Sequence, residues 1–408
     1  MGLFSSTSNK KRIELICDIG NGSLGVALVL FASSEKAPNV IFSERIFLQS
    51  ETGKGYENIT ANLGKNLNNL LSNVLKFCVS NKINPSKVSC FFSSPWFISQ
   101  THILRVKQPE PIVFSESILS KILKEAENNF LSNKDSRAFK FVSEDIKLIE
   151  RKITRIKLNG YQTHEPLGKK ASTIEVALFL SAVRKETILL IESAINRLWL
   201  DVKIQHHTFP LASFSMIRNE LNNPGNFLLV HIADDITDLS IVYDEMLLDT
   251  FSFPLGKKNI IKNLEEKCNL DYGLASSALS MYAKGEMHHE QLPRFTDAIQ
   301  SAIKDWITHF ENGCDVLTKN IAVPEVVYLI VDERIFPIFE SAIKSFNLNR
   351  YTVLGNELKV CSIFKDLFEK YITYSNPVQK DFFLETEVLY INLISPKEEK
   401  ISSNYILE

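Results

Sequence analysis

Apolar and polar positions along the chain switch between two periods, and the switches mark its elements. From Ile13 the run IELICDIGNGSLGVALVLF is apolar on both sides of a Gly/Asn/Ser centre, the pattern of two buried strands joined by a turn. NVIFSERIFL follows as a third β-rich run. Tyr56 to Ser80 then places Ile59, Leu63, Leu67, Leu70, Leu71, Val74 and Leu75 at helical spacing, which predicts an amphipathic helix. Lys87 to Ser93 returns to strand. After Pro95 the pattern predicts a strand, a loop broken by Pro109 and Pro111, and a helix with Ser115 as its N-cap and Glu116 in its first turn, where negative charge suits the helix dipole.

Ile146 to Val183 reads as strands around a Gly-Tyr turn, and Lys185 to Leu200 as a helix. VKIQHHTFPLASFSMIRNEL is strand, turn and helix, and Asn222-Asn223-Pro224-Gly225 makes a sharp turn into a second apolar hairpin, NFLLVHIADDITDLSIVYDEMLLDTFSF. Lys257 to Lys319 is helix-rich, Glu325 to Val331 is an apolar strand, and Phe336 to Phe346 is a helix. The second half thus repeats the architecture of the first. The tail from Ser395 is polar and is expected to fray.

A chain of 408 residues, 45% of them hydrophobic, buries a sizeable core and exceeds one ordinary domain. With 46 Lys plus Arg against 48 Asp plus Glu, it has no basic surplus to favour nucleic acid. Six cysteines without a C-x-x-C pair read as reduced core thiols of a cytosolic protein. No apolar run approaches the roughly 20 residues that span a bilayer. The adjacent pairs His206-His207 and His288-His289 have no third ligand at zinc-like spacing. The N-terminal MGLF sequence formally fits a myristoylation pattern, but a short disordered leader is the plainer reading.

Two turns carry candidate chemistry. Asp18-Ile19-Gly20-Asn21-Gly22-Ser23 supplies a carboxylate, glycines that allow backbone approach, and a hydroxyl, which suits either a phosphate-binding loop or an ordinary Asn-Gly hairpin. In the second hairpin His231, Ile232, Ala233, Asp234, Asp235, Ile236, Thr237 and Asp238 occupy a strand–turn–strand frame. That frame resembles the second phosphate hairpin of actin/Hsp70-type ATPases with its glycines replaced. Two adjacent carboxylates repel by about 1 kcal/mol even at water's dielectric, so they oppose phosphate unless magnesium sits between them. Asp238 also reads as a turn-capping residue, and His231 as a hydrogen-bonded core histidine.

The chain further resembles the FtsA/PilM group of bacterial actin-like proteins, with FtsA the nearer match. The likeness rests on NGYQTHEPLGKKASTIEVALFLSAV, on FPLASFSMI and on FSFPLGKKNI, in that order, and runs from about Ile13 to Phe346. It implies an α/β, actin-like (actin/Hsp70/FtsA) ATPase fold of two lobes with an inserted α+β subdomain. The expected division is residues 13–98 for the first lobe, 99–205 for the insert, 206–375 for the second lobe with its helix-rich part at about 257–322, and 376–408 for a C-terminal return and tail. ATP with magnesium is the implied ligand. Asp18, Gly20, Asn21, Gly22, Ser23, Asp234, Asp235, Thr237, Asp238 and Gly256 are its nucleotide candidates, and Asp18 and Asp235 the candidates for magnesium.

Two further sites depart from the family pattern. Ser276, Ser277 and a displaced Lys284 stand where a Glu and a Lys touch the nucleoside, and Val331, Asp332 and Glu333 stand where a Gly-Gly turn takes the adenosine. The expected function is therefore an adaptor with weak or absent ATP binding and hydrolysis. It would tie an FtsZ-type division assembly to the inner face of the cytoplasmic membrane, with possible self-association and at most peripheral membrane contact. An active ATPase and a PilM-like platform for type IV pilus assembly are the alternatives.

Overall fold

A computed structural model describes residues 12–20, 22–31, 37–48, 56–132, 145–221, 224–287, 292–318, 321–345, 358–362 and 364–394. Asn21, the Asn222-Asn223 turn, the His288-His289 pair, Phe346, the N-terminal leader and the tail from Ser395 lie outside the described residues.

In chain order the elements open with β1 (Arg12–Ile19), β2 (Ser23–Phe31), β3 (Asn39–Phe47), α1 (Tyr56–Asn81) and β4 (Lys87–Phe92). Then come β5 (Phe97–Val113), α2 (Glu116–Ser132), β6 (Ile146–Leu158), β7 (Tyr161–Gln162), β8 (Lys170–Arg184), α3 (Lys185–Asn196), β9 (Lys203–Thr208) and α4 (Phe209–Glu220). The second half holds β10 (Phe227–Ile232), β11 (Thr237–Tyr243), β12 (Met246–Phe253), α5 (Lys257–Cys268), α6 (Tyr272–Lys284), α7 (Leu292–Leu317), β13 (Val326–Ile330) and α8 (Phe336–Ser345). It closes with β14 (Lys359–Cys361), α9 (Phe364–Tyr371), β15 (Thr373–Tyr374) and α10 (Phe382–Leu389).

The chain forms two compact units. One gathers residues up to Ser93, Lys185–Met216 and the stretch from Phe364; the other gathers Ser94–Arg184 and Ile217–Ile363. The first unit is built on a six-stranded sheet in the order β15-β3-β2-β1-β4-β9. Here β1, β2 and β3 form an antiparallel meander, and β4 and β9 add in parallel. The second unit's main sheet runs β12-β11-β10-β13-β14, again a meander followed by two parallel strands. Its central strands read as continuous apolar runs because both faces are covered: β10 is buried at all six positions. Helix α7 packs against this sheet through Phe295, Ala298, Ile299, Ala302, Trp306, Phe310 and Cys314, spaced to share one face.

A third sheet, β5-β8-β6-β7, belongs to the second unit. Helix α2 covers one of its faces, burying Leu119, Ile122, Ala126 and Phe130 against strand residues such as Ile174, Val176, Leu178 and Leu180. Ser115 does cap α2, accepting from the Ile118 amide at 3.4 Å. The expected Pro-broken loop is instead strand: β5 runs through Pro109 and Pro111, with its register against β8 shifting between Lys107 and Ile112. β5 is an edge strand, where proline's missing N–H faces no partner and a shift absorbs the extra residues. Likewise α4 follows β9 without an intervening turn. All six cysteines are free thiols, and all but Cys361 are buried.

Candidate functional site

The β10–β11 hairpin of the second unit closes on the turn 233–236, where the Ala233 amide donates to the Ile236 carbonyl at 2.9 Å. Helix α5 begins directly against this turn. Its N-cap, Gly256, is in extended backbone, and a Cβ there would lie 2.6 Å from the Asp234 carbonyl oxygen. Only glycine permits that approach. The first two amides of α5 donate to the turn: Lys257 to the Ala233 carbonyl at 3.0 Å and Lys258 to the Asp234 carbonyl at 2.8 Å. A helix N-terminus is a ready anion site because such amides are free; here the turn takes them.

Side chains repeat the pattern. Lys257 Nζ lies 3.2 Å from Asp234 and 3.5 Å from Asp332, and Lys258 Nζ lies 3.0 Å from Asp235. Arg334 in turn meets Asp332 at 2.6 Å. Burial works against the Lys257 charge, but Asp234 and Asp332 outweigh it and raise the ammonium above its usual range. Burial pushes the Asp235 carboxyl up, opposed by Lys258 and reinforced by Asp234. Three acids and three bases therefore sum to zero in this cluster.

The remaining candidates of this hairpin face inward. Thr237 is fully buried, donating to the Leu255 carbonyl at 2.6 Å and accepting from Trp306 Nε1 at 2.9 Å. Asp238 accepts from Ser252 at 2.6 Å and lies 3.5 Å from His231, itself buried. On α6, Ser277 donates to the Gly273 carbonyl at 2.9 Å, within its own helix. Val331 is buried, and Asp332 caps the short helical turn that follows β13.

In the first unit the β1–β2 turn is a tight hairpin. The Gly20 amide donates to the Ser23 carbonyl at 3.2 Å, and the Gly22 carbonyl accepts from Leu48 at 2.9 Å. Asp18, Gly25 and Arg45 fall at one register across β1, β2 and β3. Because Gly25 has no side chain, Arg45 lies flat across β2; a Cβ at Gly25 would sit 2.7 Å from its Nη2. The guanidinium then donates to Asp18 at 2.7 Å, to Ser23 Oγ at 2.9 Å, and to Asp381 at 2.5 and 3.0 Å. The ring of Phe383 lies 5.2 Å from its Cζ. Burial opposes the Arg45 charge, yet Asp381 and Asp18 more than compensate and hold it protonated. Glu387, on α10, is wholly buried and has no hydrogen-bond partner among the described residues. Burial, with Asp18 adding to it, drives its carboxyl well above the usual range.

Sequence reasoning located both turns but missed Arg45, Asp381, Lys257 and Lys258 as their partners. Two signals were present. A Lys-Lys pair in the first helical turn opposes the dipole and implies nearby acids, and a lone glycine within an apolar strand implies close approach of another group.

Two sheets that each pass from an antiparallel meander to two parallel strands, with helices on their faces and a paired hairpin turn in each unit, are the actin-like ATPase fold. Among solved structures, the chain is similar to a "PilM-PilN type IV pilus biogenesis complex", with a TM-score of 0.60 and 16% identity over 97% of this chain and 99% of that one. It also aligns with a Bacteroides thetaiotaomicron protein of actin-like ATPase fold and unknown function, at a TM-score of 0.41 and 11% identity over 96% of this chain and 99% of that one. The ethanolamine utilization protein EutJ from Carboxydothermus hydrogenoformans aligns at a TM-score of 0.42 and 9% identity, over 94% of this chain and 89% of that one. No family model and no curated protein matches the sequence.

Proposed function

We propose that this chain is an actin-like scaffold of the PilM type that works without ATP, through surfaces offered to protein partners at the cytoplasmic face of a membrane. The observation that carries the reading is the self-neutralised turn of the second unit. A magnesium triphosphate needs free amides and surplus positive charge; the α5 amides are taken by the 233–236 turn and both its lysines by Asp234, Asp235 and Asp332. The residues present do not fit that ligand, and no catalytic step is assigned to them. Self-pairing of this kind keeps the turn folded with nothing bound, which suits a platform better than a switch.

The pilus-type partner is inferred from the likeness in fold over nearly the full length of both chains. An FtsA-like division role is the second reading, supported by the order of segments described above. Calorimetry separates them: the proposed reading expects binding of a short peptide from a PilN-type inner-membrane protein and no response to an FtsZ tail peptide. Steady phosphate release abolished by Asp18→Ala would instead establish an active ATPase and overturn the scaffold.

A further inference from the structure

Across the first unit's sheet, one arginine occupies a box built for it. Its floor is the bare backbone of Gly25, its lid the ring of Phe383, and its walls are Asp18, Asp381 and the Ser23 hydroxyl. The Arg45 side chain is only 10% exposed, and those of Asp18 and Asp381 are 6% and 12%. Two walls belong to the β1–β2 hairpin, whereas Asp381 and Phe383 belong to the N-cap and first turn of α10, more than three hundred residues along the chain. Asp381 also accepts from the Phe383 and Leu384 amides at 3.1 Å each, so the acid that holds the guanidinium is the acid that starts the helix.

The site carries more acid than Arg45 neutralises. Asp18 and Asp381 are two carboxylates to one guanidinium, and Glu387, six residues beyond Asp381 on α10, is wholly buried with no hydrogen-bond partner among the described residues. A planar guanidinium with in-plane donors matches two carboxylates and a hydroxyl better than a point charge does.

We propose that Arg45 is a tethered, resident cation that fills an acidic site formed by Asp18, Asp381 and the Ser23 hydroxyl, so that the first hairpin and α10 are held permanently in the cation-loaded arrangement. The inference deepens the scaffold reading and rests on it: where an exchangeable ligand would let the hairpin open and close, a covalently attached cation never leaves. Arg45 is thus a positioning residue that ties α10 to the first hairpin. Its planar fork is essential, and Gly25 is the position that admits it.

The test is chemical rescue of the full-length protein. Arg45→Ala is expected to lower the melting temperature by several degrees, and millimolar methylguanidinium is expected to restore part of that loss in Arg45→Ala, leaving wild type and the Arg45→Ala/Asp18→Asn double variant unmoved. Equal shifts in all three proteins, or a variant as stable as wild type, would overturn the proposal. If Arg45→Ala does not fold, Gly25→Ala provides the second measure, since its Cβ displaces the guanidinium while leaving every charge in place. The melting temperature of Gly25→Ala should fall below that of wild type, and wild-type stability in Gly25→Ala would again overturn the inference. Failure of rescue without ATP binding counts against the resident cation alone, and ATP binding with rescue intact counts against the scaffold reading alone.

Discussion

At the residue scale, buried charges of this molecule answer one another, and pH reads that out. Burial, with Asp18 adding to it, raises the Glu387 carboxyl, so between its ordinary and its raised pKa the folded state binds a proton that the unfolded state has released. Its contribution is complete at low pH and is lost as pH rises through the folded value. Asp381 works in the opposite sense: burial opposes its charge, but Arg45 and the α10 amides depress its carboxyl, so its contribution is present at neutral pH and is lost on acidification. Melting temperatures taken from about pH 5 to 8 should therefore fall more steeply in wild type than in Glu387→Gln, a range lying above the ordinary carboxylate pKa. Parallel slopes would remove Glu387 from the account. In the second unit, Thr237→Val leaves the buried Trp306 N–H without its acceptor, and denaturant titration should register a loss of about 1–3 kcal/mol.

At the element scale, close approaches set the positions. Helix α5 stands against the 233–236 turn because Gly256 lacks a Cβ, and α7 stands against β11 and β12 because Gly313 does: a Cβ there would lie 2.8 Å from Phe251 and 3.0 Å from Leu239. Gly256→Ala must push back either the turn or the helix, at a cost of roughly 1–3 kcal/mol. Hydrogen exchange at the Lys257 and Lys258 amides should accelerate, and unchanged protection would mean that the amide–carbonyl bonds do not hold the helix. Elements with strong periodicity were legible in the sequence: the β1–β2 and β10–β11 hairpins, α1, α2 and α8 all follow runs whose apolar spacing admits one reading. The edge strand β5 was not, because prolines that break an interior strand are tolerated at an edge. The short elements β14, α9, β15 and α10 have too few residues to set a period, and α10 buries nearly its whole circumference, Glu385 and Glu387 included. The turn between β11 and β12 places Asp244 and Glu245 at φ of 51° and 64° without glycine. It is held from outside by the third sheet, where Arg155 donates to the Asp244 carbonyl at 2.7 Å and Lys157 to its carboxylate at 2.8 Å.

At the scale of the whole molecule, the fold was legible because its signature is a repeated order of elements, which does not depend on individual site residues. The state of the site was only half legible. Asp234 and Asp235 are visible as an acidic turn, but the cations that balance them come from α5, and the guanidinium beside Asp18 comes from two strands away and reaches Asp381 of α10. Pairings set by tertiary approach leave only indirect local signs, here the Lys257-Lys258 pair and the lone Gly25 within an apolar strand. What results is a fold in which the β1–β2 and β10–β11 hairpins are each paired with the chain's own charges.

The most direct test of that claim is equilibrium titration of the purified protein with a fluorescent ATP analogue, with and without magnesium. The account predicts no binding at millimolar nucleotide in either condition; micromolar, magnesium-dependent binding would contradict it.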